Sequence, residues 1–141
     1  MLSVVGALTS CAVNRDDLVT SFQSANPEAT DEQASCVVDA LINVHGIEGV
    51  EQQLALDPVD PAFEELQFRT MVHCGMTGQL EVALTQQVAG LDVAADNRAC
   101  VVDALVADIT DDDLDVLLSG QITDDYYAKF FDTLSSCDAL P

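Results

Sequence analysis

Cys36-Val37-Val38-Asp39-Ala40-Leu41 recurs, residue for residue, as Cys100-Val101-Val102-Asp103-Ala104-Leu105, 64 positions later. Chance is a poor explanation for an identical hexapeptide of mixed chemistry, and self-similarity at a fixed offset marks a duplicated structural unit. Working outward, a second block recurs 63 positions on. Phe68, Thr70 and Cys74 match Phe131, Thr133 and Cys137, and Tyr126 stands where Phe63 does. Upstream, Leu18 falls opposite Val82. The change of offset by one residue fits a small loop deletion between the blocks. The chain therefore reads as two repeats, residues 12–76 and 77–141, preceded by a separate segment, residues 1–11.

At 100° per residue, Cys36, Val37, Val38, Ala40, Leu41, Ile42 and Val44 cover well over half of a helix's circumference, leaving Asp39 and Asn43 as a narrow polar strip. A helix this apolar belongs in the centre of a bundle. The two hexapeptide helices are expected to form the middle of the molecule, meeting around a pseudo-twofold axis. No stretch shows sustained strand alternation.

Start and stop signals divide each repeat into four helical segments. In the first repeat these run from about Arg15 to Ser24 behind the cap Asn14, and from after Thr30 to Gly46. They continue from Ile47 to Leu56, and from Asp60-Pro61 to Gly75. Thr30-Asp31-Glu32-Gln33 has the form of a capping box, and Asp60-Pro61 is a cap followed by proline at the first helical position. In the second repeat the segments run from Gly78 to Gly90 behind Thr77, from Ala95 to Asp108, from Asp111 to Ser119 behind Thr110, and onward from Thr123. The fold class is all-α: a tandem duplication of a four-segment helical unit, forming a disulfide-clamped bundle with pseudo-twofold symmetry.

The charge balance is extreme, with 25 acids against 4 bases and a formal net charge of −21 in 141 residues. Such a surface repels phosphate backbones, which argues against nucleic-acid binding, and it disfavours anionic membranes except through a covalent anchor. The acids are spread over both repeats, a pattern of adaptation to a salty medium more than of one docking face.

Five cysteines fall into two classes by repeat position. Cys36 and Cys100 open the hexapeptide helices, and Cys11, Cys74 and Cys137 are spaced 63 apart. Pairing one class with the other gives two self-consistent schemes. One joins Cys36 to Cys74 and Cys100 to Cys137; the other joins Cys11 to Cys36 and Cys74 to Cys100. Periodicity leaves both open. A disulfide framework of either kind implies an oxidising compartment.

Leu8-Thr9-Ser10-Cys11 resembles the lipobox of bacterial lipoproteins, an aliphatic residue and two small residues before a cysteine, and Met1–Ala7 looks like the end of an apolar signal segment. The resemblance implies that Cys11 becomes the first mature residue and carries the lipid. Cys11 is then unavailable for a bridge, which implies the scheme Cys36–Cys74 and Cys100–Cys137. It further implies an extracytoplasmic protein, membrane-anchored in a bacterial cell envelope or secreted, that meets the membrane only through Cys11.

Candidate chemistry is sparse. His45 and His73 have no counterparts in the second repeat, and His73 beside Cys74 lacks the further neighbours a zinc site needs. Asp111-Asp112-Asp113 with Asp115 lacks the spacing of a calcium loop and reads as acids in the first turn of a helix. Asp39 and Asp103 stand out because each is repeated on a mostly apolar helix. Facing each other, they would form a carboxylate pair suited to acid/base chemistry or a cation; a solvated strip, or a bond to arginine, is the ordinary reading, with Arg69 and Arg98 as candidate partners. Tyr126, Phe130, Thr133, Leu134 and Cys137 share one core-facing side of the last segment. Phe68 and Phe131 lie off it, placed either to line an apolar groove between the units or to fill the interface, and core filling is the expectation. No catalytic residue and no cofactor is assigned. The sequence points to a non-enzymatic binding or interaction module with a protein or small-molecule partner. The alternative is an acid/base enzyme or cation-binding protein built on Asp39 and Asp103.

Overall fold

The computed structural model describes residues 13–140. Leu8–Cys11, and the lipidation assigned to Cys11, lie outside the described residues. Those residues are all-helical, with seven helices: α1 (Arg15–Ala25), α2 (Asp31–Leu54), α3 (Pro61–His73), α4 (Gly78–Ala89), α5 (Ala95–Ala107), α6 (Asp111–Ser119) and α7 (Asp124–Ser136). They fall into two compact units divided between Cys74 and Gly75.

Local chemistry starts most of these helices. Asn14 and Asp17 form a reciprocal capping box at α1, as do Thr30 and Gln33 at α2 and Thr110 and Asp113 at α6. Each satisfies two backbone donors that a helix start leaves unpaired. Asp60 accepts from the Ala62 N–H with Pro61 at the first position of α3, and Thr123 accepts from the Tyr126 N–H at α7. Thr77 does not cap α4 as its sequence suggests. Its backbone is not extended, and its hydroxyl donates to Glu81 Oε1 at 2.8 Å.

Gly46 interrupts α2 as expected: with φ at 71° and ψ at 167° it is non-helical, and the second and third segments of the first repeat are two helical stretches that meet at a kink there. That backbone conformation is essentially confined to glycine. In the second unit the corresponding junction is a cut, Asp108-Ile109-Thr110, and Thr110 caps a separate helix α6.

In the first unit α2 packs on both α1 and α3; in the second, α5 packs on both α4 and α7. Each hexapeptide helix is thus central within its own unit. Val37, Val38 and Leu41 are buried, as are Val101, Val102 and Leu105. The apolar arc is narrower than the sequence suggests, because Val44 is 62% exposed.

Disulfides close both units in the same way: Cys36–Cys74 in the first and Cys100–Cys137 in the second, each with Cα atoms 5.8 Å apart. Each bridge ties the second turn of the hexapeptide helix to the C-cap of its unit's last helix. Of the two schemes that periodicity left open, this is the one the lipobox resemblance implied. Covalent closure matters here, since a unit of this size buries too little surface to be secure on its own.

Candidate functional site

Asp39 and Asp103 lie in separate units, and both are exposed. Asp39 is held by Arg15, at the first position of α1: Nη2 donates to Oδ2 at 2.9 Å while Nε reaches Oδ1, a two-pronged contact. The hydrogen bond from Arg15 lowers the Asp39 carboxyl, and burial opposes it only in part. Neither Arg69 nor Arg98 is the partner of Asp39; Arg69 pairs with Glu65, one turn away on α3. Arg15 went unnoticed in the sequence because it is 24 positions from Asp39 and starts a different helix.

The most deeply engaged acid is one the sequence assigned only to a helix start. Asp113 is buried. Its carboxylate accepts from the Thr110 N–H and from the Lys129 ammonium, and Lys129 also donates to the Asp108 carbonyl. Burial raises this carboxyl, but the bonds from Lys129 and Thr110 outweigh it and bring it below the usual range. Lys129 is the only lysine in the chain. From α7 it ties down the starting turn of α6.

Beside this pair, Asp112, Asp115 and Asp125 line a depression of about 310 Å³, together with Val116 and Tyr126. The buried Tyr126 hydroxyl donates to Gln87 Oε1 of α4 at 2.9 Å. Phe130 stacks on Tyr126, with ring centroids 6.3 Å apart. The core-facing side expected of α7 is thus observed: Tyr126, Leu134 and Cys137 are buried and Phe130 is half-buried. Phe131 is a correction. It is 47% exposed and stacks on the exposed Tyr127 instead of filling the core. It sits 100° around the helix from Phe130, a step that carries it off the buried stripe.

The first unit contains a different kind of space. Leu18 and Phe22 of α1, Val38, Leu41 and Val50 of α2, and Gln67 of α3 line an apolar cleft of about 90 Å³, with Ser21 and Ala25 exposed at its rim. The sequence offered no sign of it, because a cleft is a deficit of volume summed over three helices.

His45 and His73 do not come together in a metal centre: His45 packs its ring against Phe63, with centroids 5.5 Å apart. Among the described residues no group of three or more histidine, cysteine or acidic side chains is placed to hold a metal ion, and no helix is long and apolar enough to cross a membrane.

No protein-family model, no curated protein and no solved structure matches this chain.

Proposed function

We propose that this protein is an exported, non-enzymatic binding module of a bacterial cell envelope, anchored through a lipid on Cys11 or secreted. The observation that carries the reading is the pair of disulfides, one closing each unit. Such bridges form and persist in oxidising compartments and staple small domains that must survive there. The lipobox-like Leu8-Thr9-Ser10-Cys11 supplies the address and, if lipidated, accounts for the fifth cysteine. Asp39 and Asp113 are engaged in holding helices together, Asp39 with Arg15 and Asp113 with Lys129. The cleft in the first unit is a place where a partner group fits without chemistry.

The test is the intact mass of the natively expressed protein, before and after reduction and alkylation, followed by peptide mapping. The expected result is a chain that starts at an acylated Cys11, or a secreted chain, with Cys36–Cys74 and Cys100–Cys137 peptides. A retained Met1 with all five thiols alkylating before reduction would overturn export.

A further inference from the structure

We infer that the first-unit cleft is a binding site for a compact, uncharged apolar molecule, between a branched alkyl group and a single ring in size. The inference rests on the reading of the protein as a binding module and adds the ligand class. It comes from comparing what fills the same place in the two units. In the first, Leu18, Phe22, Val38, Leu41 and Val50 form the walls and Gln67 reaches in from α3. In the second, the hexapeptide offset places Val102 and Leu105 at the positions of Val38 and Leu41, and Leu114 at that of Val50. The offset of 63 that relates the caps Asp60 and Thr123, and Cys74 to Cys137, places Phe130 at the position of Gln67. One unit presents a flexible amide where the other presents a phenyl ring.

The second unit also has a closure that the first lacks. Phe130 stacks on Tyr126, and the Tyr126 hydroxyl is bonded to Gln87 of α4. Gln87 comes three residues after the fully buried Leu84. The rim residues Ser21 and Ala25 come three residues after the buried Leu18 and Phe22. They are too short to reach across, and Phe63 in the place of Tyr126 has no hydroxyl to offer.

The second unit indicates the occupant, because at the position of Gln67 it carries an aromatic ring of its own, the half-buried Phe130 stacked on Tyr126. The first unit's cleft, at about 90 Å³, is smaller than the roughly 150 Å³ that encloses benzene in a dry apolar cavity. Ser21, Ala25 and Leu54, all exposed, stand at its edge, so a ring or branched alkyl group enters with one edge at the rim. The ligand is uncharged because no charged side chain lines the cleft, and an ion there would lose its water without compensation.

The experiment is a titration of the full, disulfide-bonded chain, methyl-labelled at leucine and valine, with toluene as the probe. Saturable shifts are expected at Leu18, Val38, Leu41 and Val50, with none at Leu84, Leu105 or Leu114. Gln67→Phe, which copies the second unit, should weaken binding at least tenfold. Gln67→Leu should weaken it less, and it serves as the test if the phenylalanine variant does not fold. Absence of saturable shifts, equal shifts in both units, or undiminished binding by a folded Gln67 variant would each overturn the site. So would binding of N-acetyl-leucinamide without binding of toluene, which would assign the cleft to a partner's side chain. The mass and cysteine map are independent of this titration. A protein with acylated Cys11 and both bridges that ignores toluene loses the site and keeps the export reading.

Discussion

The ammonium of Lys129 rests on the carboxylate of Asp113, a group that has lost nearly all contact with water. The pair links α7 to the first turn of α6, and Asp113 at the same time completes the Thr110 capping box. Replacing Lys129 leaves the buried Asp113 charge with only its Thr110 capping bonds, which costs more than losing an exposed pair. Lys129→Met keeps the apolar stem and removes the charge, and it is expected to destabilise the chain by about 2–4 kcal/mol. Arg15→Met breaks the exposed pair with Asp39 and should cost clearly less. Urea midpoints of the two variants, measured side by side, check the order.

Two opposing effects set the pH profile. From neutral pH downward, protonation of exposed acids relieves the self-repulsion of a chain of net charge −21, so stability should rise at low salt. Asp113 acts in the other direction. Its folded carboxyl lies below the ordinary value. The stability it contributes is therefore present above the unfolded pKa, near 3.9, and is lost as pH falls through the folded value. Thermal midpoints in dilute buffer should peak on the acidic side of neutrality and then fall below about pH 4. The fall should be shallower in Lys129→Met. Raising salt to about 1 M, where the screening length is about 3 Å, should remove most of the rise and leave the fall.

Gly46 carries the bend of α2 in a conformation that side chains avoid. A Cβ there meets no neighbouring atom within 4 Å, so the cost of Gly46→Ala is backbone strain alone, about 1–3 kcal/mol. Gly90→Ala is the control. Its φ of −74° is open to alanine and its Cβ site is equally empty, so the substitution should be neutral or slightly stabilising. A melting-temperature difference near zero between the two would sink the assignment of Gly46 as an obligatory glycine.

Each disulfide closes a loop of nearly 40 residues, with sequence separations of 38 and 37. By the chain-entropy account each contributes about 4 kcal/mol. Cys100→Ser/Cys137→Ser and Cys36→Ser/Cys74→Ser should each lower the denaturant midpoint substantially, and reduction of the native protein should destabilise it more than either pair alone. An unchanged midpoint on full reduction would show that the helices hold each unit without the bridges.

The helix starts were legible because capping is local. Asn14, Thr30, Asp60, Thr110 and Thr123 each make their capping bond within three residues, so neighbours in sequence suffice to identify them. Thr77 shows the limit of that rule: its hydroxyl found the Glu81 carboxylate instead of a backbone N–H. The register of the first helices was beyond reach for another reason. Leu18 and Val82 align in sequence, yet Leu18 is 4% exposed and Val82 is 58% exposed. In α4 the buried row is Leu80, Leu84 and Val88, and a shift of two residues turns a helix by about 200°. Alignment by offset therefore does not say which side of α4 meets α5.

The sequence by itself determined the all-helical class, the repeated hexapeptide, the sites of most helix starts and the two classes of cysteine, because these follow from local propensity and from identity along the chain. Only the tertiary structure decided that Arg15 takes Asp39, that Lys129 takes Asp113, that Phe131 faces water, and that the first unit has a cleft where Gln67 replaces a ring. Each of these depends on distances between helices far apart in sequence. Those distances are set by how side-chain volumes fill a shared interior, a sum that no single stretch of residues contains.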